Sequence, residues 1–301
     1  MIFILILALL YSPLLSQPEL AIEENSFFRF YFLPDNRYSV TLLMAKSEDY
    51  LKQLSSDLGF QPELPGKISV IILPDKGNIY IAGRKFPQMP SWVAGFADTE
   101  RRIIVLRTTS TKKGLHQSIF DVFKHELSHI LLKTYLAEAY SGLPWWFIEG
   151  LAMWQAKEWS LGDTFFLAES LVRGSFIPLS KVSQPMMRSR AEARQMYIEA
   201  LSFFLYLRHK FGWETIKRIL SRVREGGDFD ESFYQLTHYR WEQVATVWQR
   251  GLNLKYKWLP IITSSSALWI FLSLLFIIGY ARKKKRQREV LKKWEQEDFF
   301  C

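Results

Sequence analysis

Cysteine is almost absent from this chain of 301 residues. The one cysteine, Cys301, is the last residue. This excludes an intramolecular disulfide, so the fold must be held together by its core, with or without a metal ion. Histidine is also scarce, with five residues, which makes any regular histidine spacing informative. Hydrophobic residues, by contrast, make up 49% of the chain and aromatic residues 16%, so most of the chain is expected to fold.

A surface for nucleic acid is also missing, although the net charge is +9. Residues 281–301 hold eight Lys or Arg and four Asp or Glu, so this short tail supplies a large part of the positive charge. The remaining charge is spread thinly, and no basic stripe with interleaved aromatic residues is present. We therefore expect no nucleic-acid partner.

The first sixteen residues resemble a targeting segment. Residues 2–10 are all apolar, a length typical of a signal peptide and short for a membrane span. We predict a signal peptide over residues 1–16, with cleavage after Ser16. The alternative is an uncleaved N-terminal anchor, because positive charge at the start and a clear small-residue cleavage site are both missing.

A second apolar segment lies near the C-terminus. Residues 258–281 carry no charge, and Trp258 and Tyr280 stand at its ends. The basic run 282–286 follows directly, which disfavours the alternative of a buried core helix. The pattern predicts a transmembrane helix over 258–281 and a basic cytoplasmic tail over 282–301. The rest of the chain would then lie outside the cytoplasm, periplasmic or extracellular, anchored to a lipid bilayer. The basic tail fits a stop-transfer signal better than the alternative of a protein that only tethers itself to a membrane surface and catalyses no reaction.

The sequence between these segments predicts one α+β domain over residues 25–250. A short N-terminal mixed sheet is followed by a mainly helical half. The predicted strands are 26–32, 67–73, 78–82 and 102–107, and the predicted helices are 47–58, 115–136, 143–157, 191–211 and 213–224. The oligomeric state is left open.

One motif indicates metal chemistry. Residues 125–129 read His125-Glu126-Leu127-Ser128-His129, within a stretch that no proline or glycine interrupts. On a helix, residues four apart lie on one face, so both imidazoles can reach one metal ion. Glu126 would project beside that ion, where it can accept a proton from water. The alternative is a pair of surface histidines on an ordinary helix.

Glu149 is the candidate for the third ligand. A catalytic zinc site usually has three protein ligands and one open position. Nineteen residues separate His129 from Glu149, whose neighbours include Trp, Phe, Ile and Leu. A charge in such surroundings is usually paired or bound to a metal, so a solvated surface carboxylate fits poorly. The flanking Gly150 and Ala152 are small, which predicts close approach of the two helices.

These residues resemble a known group. The His-Glu-x-x-His motif followed by Glu149 is similar to the gluzincin metallopeptidases, the clan of thermolysin and the membrane alanyl aminopeptidases. Its Trp-Phe-x-Glu-Gly-x-Ala context, and the segment 90–97 before the helix, resemble bacterial peptidase-MA-like domains over roughly residues 27–250. The resemblance implies zinc as cofactor, His125, His129 and Glu149 as ligands, Glu126 as general base, and an edge strand that aligns a peptide substrate.

The chain departs from the thermolysin pattern at one position. There, a carboxylate one turn after the glutamate ligand orients a histidine, whereas this chain has Met153. A backbone carbonyl or another acid must take that role, and Asp121, one turn before His125, is the candidate.

The resemblance also suggests Tyr197 as a catalytic donor to the oxyanion. The alternative for Tyr197 is a core tyrosine with its hydroxyl bonded to backbone. His209 and His238 are next in line for the donor role.

The expected function is that of a membrane-anchored zinc peptidase acting on peptides or proteins outside the cytoplasm. The alternative is a zinc-containing, non-hydrolytic binding or signalling module with the same anchor. Intact Glu126 favours the peptidase, since a structural site needs no base. The substrate, and the choice between endopeptidase and aminopeptidase, are open. The sequence shows no clear counterpart of the acidic residue that captures a free amino terminus, although Asp98 and Glu100 are nearby.

Overall fold

The protein is described by a computed structural model that covers residues 20–73, 80–81, 84–85, 93–107, 118–177, 179, 189–256 and 265–297. The predicted signal peptide over 1–16 lies outside the described residues. So do residues 90–92 of the segment that resembles the peptidase-MA-like domains, and residues 258–264 of the second apolar segment.

The N-terminal half contains the β-structure, as the sequence predicts. Its strands are β1 Ala21–Glu24, β2 Phe28–Phe32, β3 Ile68–Leu73, β4 Tyr80–Ile81, β5 Arg84–Lys85, β6 Gly95–Asp98 and β7 Ile103–Arg107. Five of them form a mixed sheet in the order β1-β2-β3-β7-β6, and β4 and β5 form a separate small pair. The pairs β2–β3 and β3–β7 are parallel, whereas β1 and β6 run antiparallel to their neighbours.

Helices make up most of the remainder. They are α1 Arg37–Leu58, α2 Ile119–Leu136, α3 Trp145–Ala156, α4 Leu161–Arg173, α5 Arg190–Phe211, α6 Trp213–Arg224, α7 Phe229–Thr237, α8 Trp241–Tyr256 and α9 Ser265–Glu297. Two short 3-10 segments, Pro34–Asn36 and Ala137–Gly142, precede α1 and follow α2. A mixed sheet with a mostly helical remainder confirms the α+β class.

Helix α1 is longer than its sequence pattern predicts. It begins at Arg37, ten residues before the predicted start, because the 3-10 turn with Pro34 in its first position leads directly into it. Proline is well suited to the first turn of a helix, where its missing N–H is not needed.

The core joins the sheet to α2 and then α2 to the helical half. Phe123 of α2 packs edge-on against Phe28 of β2, with ring centroids 5.5 Å apart, and both are fully buried. Further along, α3 packs most closely against α5. A Cβ at Gly150 would lie 2.7 Å from the Cβ of Phe204 and 2.8 Å from the carbonyl oxygen of Ala200. The small residue at 150 thus allows α5 to pack closely against α3. The sequence pattern predicted that it would bring α2 and α3 together.

The C-terminal helix α9 differs from the expected anchor. Its first part exposes large apolar side chains between Leu268 and Ile278, and the helix continues without a break into the charged tail as far as Glu297. Within the described part of the chain, no helix is both long enough and apolar enough to cross a membrane. The predicted transmembrane helix over 258–281 is therefore not supported.

Candidate metal centre

Helix α2 carries the two motif histidines. It begins after Ser118, whose hydroxyl accepts a hydrogen bond from the backbone N–H of Asp121 at 3.2 Å. Such a cap satisfies one of the free N–H groups of the first turn. His125 and His129 follow one turn apart, with ring centroids 4.9 Å apart. Glu126 and His129 are buried, so the centre lies inside the protein rather than on the outer face of α2.

Glu149 on α3 faces both histidines. Its Oε2 lies 3.3 Å from Nε2 of His125 and 3.6 Å from Nε2 of His129. One ligand-type atom from each residue falls within 4.8 Å of the others. Yet this buried oxygen has no hydrogen-bond partner among the described residues. Two imidazole nitrogens and a carboxylate oxygen that converge at these distances fit a cation between them, and N₂O donors suit zinc.

The other nitrogen of His125 has its own partner. Nδ1 lies 3.1 Å from Oε1 of Glu158, whose side chain is only 4% exposed. In metal sites, such a carboxylate fixes the orientation and tautomer of the ring, so that Nε2 points to the metal. From the sequence, a backbone carbonyl or Asp121 was predicted for this role. Asp121 instead bonds Ser118 and forms an ion pair with Lys124 at 2.8 Å.

A tight turn after α3 brings Glu158 to His125. Lys157 adopts the left-handed conformation (φ 60°), and the N–H of Glu158 donates to the carbonyl of Met153 at 3.1 Å. This is the usual way to end a helix, but glycine is the usual residue at the left-handed position. Because Lys157 stands there, the sequence shows no turn signal. A hydrogen bond also joins α2 to the end of α3, because Nζ of Lys124 donates to the carbonyl oxygen of Ala156 at 3.1 Å.

The electrostatics of the centre reflect three acids and two histidines in a buried space. Burial lowers the pKa of His129 to about 4, so its ring is neutral. Burial also acts to lower the pKa of His125, but Glu158, Glu149 and Glu126 outweigh it and raise that pKa well above the usual value. Burial also raises the pKa of Glu126 to about 8. His125 acts to lower this pKa, whereas Glu149 and Glu158 act to raise it. For Glu149, burial acts to raise the pKa, but His129 and His125 outweigh it and the pKa is lowered. A divalent cation would relieve this crowding of carboxylates.

The sequence profile of the peptidase MA superfamily matches residues 46–253. This is more than half of the chain, and it includes the motif on α2, Glu149 and Glu158. The chain belongs to the peptidase MA superfamily. This confirms the resemblance drawn from residues 125–129 and 149. No curated protein matches the chain.

In this peptidase MA chain, the edge strand β6 lies directly against the centre. A Cβ at Gly95 would lie 2.7 Å from Cγ1 of Val122 and 3.3 Å from Cγ of Glu126. Only a glycine lets the strand approach α2 so closely. Strand β6 therefore forms the end of the sheet nearest to Glu126, with β7 on its other side.

Two tyrosines border the centre, and the sequence analysis named one of them. The ring of Tyr197, on α5, lies 6.5 Å from the His125 ring and 5.5 Å from the Trp145 ring, centroid to centroid. Burial raises the pKa of Tyr197 well above its usual value, and Glu149 and Glu126 add to the rise.

Tyr140, in the 3-10 segment after α2, was not predicted. Burial raises its pKa strongly, and the same two carboxylates, Glu149 and Glu126, contribute. Both tyrosines therefore keep their protons and can donate them in hydrogen bonds. His209 and His238 lie at the ends of α5 and α7 and are both exposed.

Proposed function

We propose that this chain is a zinc-dependent peptidase, with His125, His129 and Glu149 as the metal ligands and Glu126 as the general base. The observation that carries the proposal is the buried oxygen of Glu149. It faces both Nε2 atoms, has no hydrogen-bond partner among the described residues, and lies beside a second carboxylate on the histidine helix. Membership of the peptidase MA superfamily supports peptide hydrolysis as the reaction.

Each side chain of the centre would have a distinct role in the hydrolysis. Zinc, when bound, supplies a Lewis acid that polarises the substrate carbonyl and acidifies water. Glu126 accepts the proton of the attacking water and later donates it to the leaving amine. Its buried position beside β6 excludes bulk water from that proton transfer. Glu158 holds His125 in place through Nδ1. The backbone of β6, the last strand of the sheet among the described residues, would align the substrate as an added strand.

The hydroxyl of Tyr197 or of Tyr140 would donate a hydrogen bond to the oxygen that becomes negative during attack. Both groups are neutral donors close to Glu149 and Glu126, where a preorganised donor is most effective. Tyr197 is the first candidate because its ring lies against those of His125 and Trp145.

Cleavage within a chain is favoured over removal of an N-terminal residue. Asp98 and Glu100 were the candidates for binding a free amino terminus. Asp98 forms an ion pair with Arg101 at 3.1 Å, and Glu100 forms one with Lys133 at 2.8 Å. Both carboxylates are thus already paired with a cation. Activity on a peptide should therefore survive acetylation of its amino terminus, and loss of activity on acetylation would indicate an aminopeptidase.

The direct test compares the zinc-loaded chain with its Glu126→Gln variant. We expect about one zinc ion per chain in both proteins. Cleavage of a peptide library should be seen only with the parent, and a chelator should abolish it. Zinc binding without any cleavage by the parent would instead support the non-hydrolytic module. Absence of bound zinc would contradict the proposal as a whole.

The location of the domain outside the cytoplasm is also proposed, on the sequence alone. It rests on the apolar residues 2–10, whose length suits a signal peptide. Cell fractionation with a tagged chain tests it, and recovery of the whole chain with cytoplasmic markers would contradict it.

A further inference from the structure

A cleft lies next to the metal centre and shares Glu158 with it. It has a volume of about 480 Å³, within the range of small-molecule sites, and is formed by α1, the end of α3, the following turn and α5. Trp154 and Trp159 contribute aromatic surface, whereas Lys157 and Arg208 contribute positive charge. Glu158 also lines it, so one carboxylate belongs both to this cleft and to the support of His125.

The cations that line the cleft have fewer polar partners than the acids that line it. Among the described residues, Lys157 and Arg208 have no carboxylate within ion-pair distance. Arg208 instead lies over the Trp154 ring, 5.0 Å from its centroid. The acids are better satisfied. Glu158 bonds His125, and Asp57 is 3.5 Å from the amide nitrogen of Gln155. Burial also raises the pKa of Asp57, against the opposing effects of Gln155 and the two cations.

We propose that this cleft binds a small organic carboxylate with an apolar or aromatic body, and that its occupancy is felt at the metal centre through Glu158. The carboxylate would bind Lys157 and Arg208, and the apolar body would lie on Trp154 and Trp159. Charge-assisted hydrogen bonds together with an aromatic floor are the usual elements of such recognition. The part of the proposal that concerns the metal rests on the function proposed above, whereas ligand binding does not.

The turn at Lys157 supplies the physical link. Lys157 holds the left-handed position that ends α3, and Glu158 is the next residue. The cleft is lined by Lys157, Glu158 and Trp159, so a ligand in it would contact the turn on both sides of Glu158 and act on the position of that carboxylate. That carboxylate is 3.1 Å from Nδ1 of His125, so a shift of a few tenths of an ångström changes the orientation of the ring.

The test uses the full-length, cobalt-loaded chain and a pair of matched probes, N-acetylphenylalanine and its amide. The two differ in the carboxylate alone. We expect the acid to bind at millimolar concentration or below by calorimetry, and the amide to bind at least about 10-fold more weakly, since one charged hydrogen bond is worth about that factor. A tetrapeptide and its amide, run in parallel, show whether a peptide carboxy terminus or a small free acid is the better ligand.

Two variants locate the binding site. Arg208→Gln should weaken binding of the acid by about 10-fold or more, whereas Arg218→Gln, an exposed arginine on α6, should not change it. A hydroxamate that binds the metal should not compete with the acid. Equal binding of acid and amide, no binding of either acid, no effect of Arg208→Gln, or competition by the hydroxamate would each overturn the site.

The coupling has a separate readout. Binding of the acid should shift the visible absorption of the bound cobalt, which reports the ligand geometry. In Glu158→Gln at saturating cobalt, the acid should still bind but the shift should be lost. A shift that persists in this variant, or no shift in the parent, would overturn the coupling. Neither readout requires peptide hydrolysis, so a failed peptidase assay would leave these results interpretable.

Discussion

Glu199 offers the sharpest quantitative prediction because it is a fully buried acid without a cationic partner. Its side chain is 0% exposed. Oε1 accepts hydrogen bonds from Nε2 of Gln195 at 2.8 Å and from the N–H of Ile177 at 3.3 Å, whereas Oε2 has no partner among the described residues. Burial raises the pKa of Glu199 to about 8, and the two hydrogen bonds only partly oppose this.

The sign and size of the effect follow from proton linkage. The folded state holds this proton more tightly than the unfolded chain, in which the pKa of a glutamate is near its ordinary value of 4.5. Its contribution to stability is therefore greatest below that value and is lost as the pH rises towards about 8. Each pKa unit corresponds to about 1.4 kcal/mol, so the full loss is at most about 5 kcal/mol, and relaxation around the charge reduces it to about 2–3 kcal/mol.

The substitution Glu199→Gln imitates the protonated acid and keeps the oxygen that accepts both hydrogen bonds. We expect it to change the free energy of unfolding little near pH 5 and to raise it by about 2–3 kcal/mol near pH 8. Denaturant melts of the zinc-loaded protein at both pH values measure this, with Glu63→Gln at an exposed position as the control. The same difference at both pH values would refute a neutral Glu199 in the folded protein.

Five further substitutions test the centre and its support. Glu149→Ala should lose zinc, measured by metal analysis, because only two ligands remain. Glu158→Gln should weaken zinc affinity by about 10–100-fold in a competition titration while the fold is kept. Tyr197→Phe should lower turnover by about 10–1,000-fold, with zinc content and melting temperature unchanged. If turnover stays normal in Tyr197→Phe, Tyr140→Phe should lower it by that factor instead. Gly150→Ala should lower the unfolding free energy by about 1–3 kcal/mol in denaturant melts, since the added methyl overlaps α5. An unchanged stability would show that the two helices can separate at no cost.

The sequence predicts those parts of the site that depend on local periodicity. The His-Glu-x-x-His motif needs only a helix to bring two rings together, and α2 provides it. Glu149 is visible because it is a charge within an apolar helix. The strand patterns similarly locate β2, β3 and β7, which lie within the predicted ranges.

Glu158 could not be found in this way. It meets His125 across 33 residues, through a turn whose left-handed residue is a lysine, and a single sequence carries no sign of that conformation. Tyr140 escapes for a related reason, since it lies in a 3-10 segment without a periodic pattern. Helices α4, α7 and α8 were not predicted, although the sequence carries signals for them. Ser160 and Asp228 cap α4 and α7, and the buried residues of α8 recur at helical spacing.

The close spacing of the centre along the chain has a consequence for folding. His125, His129, Glu149 and Glu158 all come from one continuous stretch, and α2 and α3 form its two arms. Bringing these arms together closes only a short loop, and the entropy lost in closing a loop grows slowly with its length. The parallel strand pairs, such as Phe28 with Ile68 and Ser69 with Ile103, need closures of similar length, whereas Gln155 donates to the carbonyl of Leu54 across 101 residues. The α2–α3 pair can thus form before contacts of long range such as that of Gln155, and a metal ion captured there would favour the folded pair at that stage.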